Sequence, residues 1–336
     1  MNILNIFTKL LHYFPSEMAH NIALYGLKLL HVTGLLNYFL DYKNKLQTQE
    51  DQVVLSSKLV LKNRIGIAAG LDKNGDFIDC LGALGVGFIE IGTVTPRPQD
   101  GNPKPRIFRD KEEKALINRL GFNNKGVDYL VERLKKRKTS IIVGTSIGKN
   151  FDTPNHRAHE DYLVCLEKVF QYTDYIAINI SSPNTANLRE LSQKNYLKYF
   201  LNEIKLKHDE LTSLHGDRPV FIKISPDEDF DNLKEICLSI LDTELDGMIC
   251  TNTSADHKNK NGAGGLSGKP LRQKATEKLS FVKGIAGKDL NLIASGGVMS
   301  VSDYQEKINS GADLVQIYTG FIYEGPKLIK DLLNHQ

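Results

Sequence analysis

The sequence predicts an α/β protein, a (β/α)8 barrel of the TIM type with an N-terminal two-helix extension, and three observations point to it. Eight short β-rich runs alternate with helical stretches over about 280 residues, the count and length of a closed parallel barrel. The runs are nearly continuous in apolar and β-branched residues, as strands buried on both faces are. Almost every run ends in a polar or glycine-rich cluster, and in such barrels the working residues follow the strands. A doubly wound open sheet is the alternative, and the count of eight favours the barrel.

Residues 1–42 differ from the rest. Ile3, Leu4, Ile6, Phe7, Leu10, Leu11 and Phe14 form one apolar stripe; after Pro15, a second follows in Ala19, Ile22, Ala23, Leu27 and Leu30. Ser16 is placed to cap the second helix and Gly34 to end it. Two short helices this apolar suit a segment lying on a membrane, or a hairpin packed on the main domain. Residues 43–52 are polar enough for a linker, so the predicted division is 1–42 extension, 43–52 linker and 53–336 barrel.

The eight runs are Ile65 to Ala69, Phe88 to Val94, Ile141 to Ile147, Tyr175 to Ile180, Val220 to Ile224, Gly247 to Thr251, Leu292 to Ser295 and Leu314 to Tyr318. Val53 to Lys62 alternates apolar and polar residues, which fits a hairpin closing the bottom of the barrel.

Composition excludes little but excludes it cleanly. The chain has 336 residues, 41% of them apolar and 25% charged, and a formal net charge of +3. That near-balance gives no electrostatic footprint for nucleic acid, and no nucleic-acid partner is expected. The basic run Arg133 to Lys138 ends an apparent helix starting near Val127, where cations meet the helix dipole. Cys80, Cys165, Cys237 and Cys250 fall into no metal or redox spacing, so no metal is expected and the thiols read as buried. No apolar run reaches the roughly 18 to 20 residues that span a bilayer, and no cleavable-signal pattern is visible.

The polar clusters carry the chemistry. Ala69-Gly70-Leu71-Asp72-Lys73 follows the first run, Thr93 ends the second, and Gly144 to Asn150 closes the third. Asn118 to Asn124 gathers three amides, a cation and an aromatic in one loop. The fourth run opens into Asn179-Ile180-Ser181-Ser182-Pro183-Asn184-Thr185, amides and hydroxyls suited to a planar polar ligand. Lys223 lies on the fifth, Thr251-Asn252-Thr253 follows the sixth, and Gly264 to Gly268 comes next. Ser295-Gly296-Gly297 and Tyr318-Thr319-Gly320 end the last two, where backbone N–H groups make the recurrent phosphate site of this fold.

Ile178-Asn179-Ile180-Ser181-Ser182-Pro183-Asn184-Thr185 resembles the active-site signature of the dihydroorotate dehydrogenases, in the membrane-associated, quinone-reducing class that carries serine rather than cysteine as base. The resemblance extends over nearly the whole chain, from the His20 helix to Gly325-Pro326, and its motifs stand in the family's order. It implies oxidation of dihydroorotate to orotate with flavin mononucleotide (FMN), and electron transfer to a membrane quinone in pyrimidine synthesis. It also implies peripheral association through the N-terminal helices at the cytoplasmic face of a bacterial membrane, with no iron–sulfur partner subunit.

By the same resemblance Ala69, Gly70, Leu71, Asp72, Lys73 and Thr93 hold the flavin, with Asn179, Lys223, Thr251 and Gly268. Its phosphate falls to Gly296, Gly297, Tyr318 and Thr319. Lys73, Asn118, Arg119, Leu120, Gly121 and Phe122 hold the substrate, with Asn179, Asn184, Asn252 and Thr253. Ser182 is the implied base and Thr185 its relay partner, because an unassisted hydroxyl is a poor base. His20, Arg109 and Tyr318 match the quinone end of the tunnel. Ser146 stands where the family usually has asparagine, so a water is expected to replace a direct flavin contact.

Two rival readings start from the same residues. A Schiff-base aldolase would use Lys223 as a buried amine; a flavin-storing or membrane-tethered binding protein would keep the cofactor and lack turnover.

Overall fold

A computed structural model describes residues 3–40, 52–55, 59–185, 188–192 and 194–335. The proposed linker therefore lies, apart from Gln52, outside the described residues.

Eight parallel strands close into one barrel. In chain order they are β3 (Ile65–Ile67), β4 (Phe88–Val94), β7 (Ile142–Ile147), β8 (Tyr175–Asn179), β9 (Val220–Lys223), β10 (Gly247–Cys250), β12 (Asn291–Ser295) and β13 (Leu314–Ile317), and β13 pairs back onto β3. Every residue of β4 and β8 is buried, which is why these stretches read as unbroken apolar runs rather than alternations. The (β/α)8 architecture expected from the repeat is thus present. The observed strands stop one or two residues short of several predicted ends, because the chain leaves the ladder there to turn polar groups inward.

Phe88, Tyr175 and Phe221 stack edge to face inside the barrel, with centroids 6.3 and 5.5 Å apart. Neighbouring strands make room with glycine. A Cβ on Gly66 would lie 2.3 Å from the Phe88 ring, and one on Gly144 would lie 2.0 Å from Tyr175. Below this layer β1 (Val53–Leu55) and β2 (Leu59–Leu61) pair antiparallel. Leu55, Leu59 and Leu61 enter the same core while Val54 and Val60 face out, so the hairpin closes the bottom as its alternation predicts.

Helices wrap the barrel: α4 (Ile78–Gly82), α5 (Val127–Lys135), α6 (Ala158–Val169), α7 (Lys194–His215), α8 (Phe230–Asp242), α9 (Arg272–Ala286), α10 (Val301–Asn309), α11 (Thr319–Glu324) and α12 (Pro326–Leu333). An element absent from the sequence reading is a three-stranded antiparallel sheet of β5 (Ile107–Asp110), β6 (Ala115–Asn118) and β11 (Gly265–Gly268). The glycine-rich Gly264–Gly268 segment reads as a loop. Its strand state comes from pairing with residues about 150 positions away, which no local pattern encodes.

The N-terminal segment forms α1 (Ile3–Leu11), α2 (Ser16–Val32) and a third short helix, α3 (Leu36–Phe39), beyond the two expected. Gly34 turns the chain after α2 at φ +77°, as its position suggests. Ser16 does not cap α2. Pro15 occupies that position without a side-chain bond, and the Ser16 hydroxyl accepts from Arg109 Nε at 3.2 Å instead. Two further Arg109 nitrogens donate to the carbonyls of Leu11 and Phe14, pinning the α1–α2 turn to β5. His12 Nε2 lies 3.1 Å from the carbonyl of Ile322 on α11. All four cysteines are buried and free, as expected. Among the described residues no helix is long and apolar enough to cross a membrane.

Candidate active site

The carboxyl ends of the barrel strands converge on a cavity with about 990 Å³ of empty space, counted to its open mouth. Its wall includes Ala69, Gly70 and Lys73 after β3, Thr93 in β4, and Asn118, Leu120, Gly121 and Phe122 after β6. Asn179, Ser182 and Asn184 come from the end of β8, Lys223 from β9, and Thr251, Asn252 and Thr253 from β10. Gly268, Gly296, Gly297, Tyr318 and Thr319 complete it. Residues scattered over 250 positions thus meet because most stand at the carboxyl ends of strands of one barrel, and the rest come from the β5–β6–β11 sheet beside it.

Five of the residues predicted for the flavin, the substrate or the base are not on this wall. Leu71 lines a second cavity. The Asp72 carboxylate turns back to accept from the N–H groups of Asp76 and Phe77 at 2.9 and 2.7 Å. Burial pushes that carboxyl up to about 6, against the pull of those two bonds. The Arg119 guanidinium stacks 4.7 Å from the Phe108 ring and donates to the carbonyls of Asn261 and Ala263. It therefore clips a neighbouring loop. Ser146 is fully buried behind Thr93, its Oγ 2.9 Å from Thr93 Oγ1. Thr185 is buried close in sequence to Ser182, with an Oγ1 that has no hydrogen-bond partner among the described residues.

Amides organise the polar wall. Asn179 Nδ2 donates to Thr93 Oγ1 at 2.9 Å, and Asn252 Nδ2 donates to Asn179 Oδ1 at 3.2 Å. Asn184 Nδ2 donates to Asn118 Oδ1 at 2.9 Å, and Asn118 Nδ2 in turn donates to the carbonyl of Gly265 at 3.1 Å. Each amide is held by a neighbour, so its remaining donor or acceptor meets a ligand already oriented. The Asn184 N–H donates to Ser182 Oγ at 3.3 Å, which favours negative charge on that oxygen.

Two lysines bring charge. Lys223 Nζ lies 3.2 Å from Glu90 Oε1, and both side chains are buried. Glu90 Oε2 also accepts from Gln316 Nε2 at 2.6 Å and from the Tyr175 hydroxyl at 3.2 Å. Glu90 and Gln316 are absent from the sequence prediction, yet each stands out in an apolar strand, Glu90 as the lone charged side chain of β4 and Gln316 as the lone polar one of β13. Lys73 is pushed down to about 8 by burial and then by the Arg106 charge, while Glu17 and Asp72 oppose the fall.

The residues present fit a flavin nucleotide. Gly268, Gly296 and Gly297 all take positive φ. A Cβ on Gly297 would fall 2.3 Å from Arg272 Cα, so this cradle needs glycine. Gln316 Oε1, on a residue at the cavity floor, is buried without a partner among the described residues, an acceptor available to a ring N–H.

The second cavity is larger, about 1530 Å³ of empty space to its mouth, and lies between α1, α2 and the barrel. Leu4, Phe7, Leu11, Ala19, Ala23 and Leu27 make its wall largely apolar. The three predicted quinone residues, His20, Arg109 and Tyr318, all border it. Burial, then the Lys73 charge, holds His20 down to about 3, so its imidazole is neutral. Burial pushes Tyr318 up to about 12, which keeps its hydroxyl protonated. Tyr318 lines both cavities and partitions them.

Residues 54–335 match the family model described as dihydroorotate dehydrogenase. The chain is 47% identical over 327 residues to dihydroorotate dehydrogenase (quinone) of Aliivibrio salmonicida (strain LFI1238), spanning 95% of this chain and 96% of that one. A protein of the same name from Shewanella loihica is 45% identical over 333 residues, 97% of this chain and 96% of its own. Among solved structures, ligand-free DHODH from Eimeria tenella matches with a TM-score of 0.85 at 34% identity, covering 95% of this chain and 93% of that one. The chain therefore belongs to the dihydroorotate dehydrogenase family.

Proposed function

We propose that the two cavities carry the two halves of one reaction, the oxidation of (S)-dihydroorotate to orotate with FMN and the passage of electrons to a membrane quinone. The chain is then a quinone-dependent dihydroorotate dehydrogenase serving pyrimidine synthesis, and its relatives bear that name. The observation carrying this reading is the shared wall. Tyr318 separates a polar cavity containing Ser182 from an apolar one containing His20 and Arg109.

In the first cavity Lys73 pairs with the substrate carboxylate, and Asn118, Asn179, Asn184 and Asn252 match the donors and acceptors of its imide edge. Ser182 Oγ takes the proton from the carbon beside the carbonyl, helped by the Asn184 N–H that it accepts. Thr185, whose hydroxyl has no hydrogen-bond partner among the described residues, relays that proton outward. Gly268, Gly296, Gly297 and Thr319 hold the FMN phosphate, and Lys223 and Gln316 face its ring. The flavin, when bound, supplies the hydride acceptor. Phe122, Pro183 and Leu120 add apolar surface to the cavity wall, which helps to exclude water from the bound substrate.

Quinone enters between α1 and α2, and His20, Arg109 and Tyr318 orient its carbonyl oxygen. Residues 1–42 act as the tunnel extension of the barrel. Leu10, Phe14, Met18, Tyr25, Leu29 and Val32 expose 45–74% of their surface, an apolar face that rests on the cytoplasmic side of the inner membrane. Steady-state turnover tests the assignment. Protein loaded with FMN should consume dihydroorotate when a soluble quinone is supplied; turnover with a nicotinamide acceptor and none with quinone would overturn it.

A further inference from the structure

Helix α2 borders the quinone cavity, yet its first turn is also tied to the substrate cavity. We infer that Glu17 and Arg106 are positioning residues for the dihydroorotate half-reaction, a polar strut through which docked α2 holds the Asn184–Ser182 turn in place. The inference rests on the function proposed above.

The strut is continuous. Glu17 Oε1 accepts from Arg106 Nε at 2.9 Å, with 25% and 9% of the two side chains exposed. Arg106 Nη1 donates to the carbonyls of Asp100 and Asn102 at 2.6 and 3.1 Å. Asn102 Nδ2 donates to the carbonyl of Asn184 at 3.4 Å, and the Asn184 N–H donates to Ser182 Oγ at 3.3 Å.

A second route runs in parallel. The Asn102 N–H donates to the carbonyl of Leu120 at 3.1 Å, and the Arg119 N–H to that of Arg106 at 2.7 Å. Loop and substrate segment are in close contact here, since a Cβ on Gly101 would fall 2.2 Å from the Leu120 carbonyl. Movement of residues 100–102 is therefore passed to Leu120 and Gly121 as well as to Asn184.

Arginine is needed because one planar head must meet a carboxylate and two carbonyls at once; a lysine point charge cannot span them. Glu17 is needed because Arg106 would otherwise be a buried cation tied only to carbonyls. The pair also sets the field at Lys73, whose charged surroundings are Arg106, Glu17 and Asp72, with the neutral His20 imidazole nearby. Arg106 disfavours the Lys73 charge and Glu17 favours it.

The test uses the full chain loaded with FMN and the variants Arg106→Lys and Glu17→Gln, with calorimetric orotate binding as a readout separate from activity. Arg106→Lys should weaken orotate about tenfold, equivalent to about 1.4 kcal/mol. It should slow anaerobic flavin bleaching by dihydroorotate at least as much, and leave the quinone KM within about twofold. Glu17→Gln should weaken orotate several-fold and move the alkaline limit of binding to lower pH, a shift that loss of scaffolding alone does not produce. Should either variant fail to fold, Glu17→Asp, one methylene shorter with its charge kept, should still weaken orotate and slow bleaching while leaving the alkaline limit of binding in place. Variants that match the parent in orotate binding and bleaching, changing only the quinone KM, would overturn the inference. A parent that neither binds orotate nor bleaches would instead overturn the function on which it rests.

Discussion

Lys223 Nζ and Glu90 Oε1 stand 3.2 Å apart in the barrel, with 7% and 0% of their side chains exposed. Gln316 and Tyr175 complete the carboxylate's partners, so the ammonium is held at the floor of the cavity by a carboxylate that is itself fixed. Removing one partner strands the other charge in a low-dielectric core. Lys223→Met should lower the unfolding free energy of flavin-free protein by about 3–5 kcal/mol in denaturant titration. The double variant Lys223→Met, Glu90→Gln should regain more than half of that. An undiminished loss in the double variant would show that the ion pair is not the cause. The same pair argues against the aldolase reading, which needs a neutral amine at Lys223.

Ser182→Ala should leave orotate binding within about twofold and slow flavin bleaching by dihydroorotate about 10²- to 10⁴-fold, the usual range for a lost general base. Thr185→Val should slow it too, by a smaller factor. Stopped-flow absorbance measures both, and an unimpaired Ser182→Ala would remove the base from the account.

Lys73 sets a pH dependence. Its folded value of about 8 lies below the ordinary 10.5. Between those two values the unfolded chain binds a proton that the folded chain has lost, so this group makes stability rise with pH across that window. Ligand binding has the opposite sign. An anion favours charged Lys73, so above pH of about 8 orotate binding must take up a proton, and affinity should fall toward tenfold per pH unit. Calorimetry in buffers of different ionisation enthalpy would count that proton. Lys73→Met should bind weakly and show neither effect.

Filling the second cavity should separate the half-reactions. Ala23 lines it beside Leu27, so Ala23→Phe projects a ring into existing space with little strain. Quinone-dependent turnover should fall at least about tenfold, while dihydroorotate still bleaches the flavin at the parent rate. Equal turnover with quinone would place the second substrate elsewhere.

The barrel was legible because β/α alternation and buried apolar runs are local properties. Most of the cavity wall was legible for the same reason: once the strands are known, the residues after them face the mouth. What stayed hidden depends on distant partners. The β5–β6–β11 sheet needs Gly265–Gly268 to find Ala115–Asn118. Ser16 resembles a cap, but Arg109, 93 residues away, occupies its hydroxyl. Arg119 reads as a substrate cation and is spent on the carbonyls of residues 261 and 263. Ser146 reads as reaching the flavin only through a water, and the sequence does not show that its hydroxyl meets Thr93. Glu90 was visible as a carboxylate in an apolar strand, and only the folded barrel shows that its partner is Lys223.

The central claim is that one chain joins a dihydroorotate site to a quinone site through a flavin between them. An anaerobic absorbance spectrum, taken before and after dihydroorotate and again after a soluble quinone, tests it most directly. Yellow protein that bleaches with dihydroorotate and recovers its colour with quinone is the expected result. Colourless protein that FMN cannot reconstitute, or flavin that dihydroorotate leaves oxidised, would contradict it.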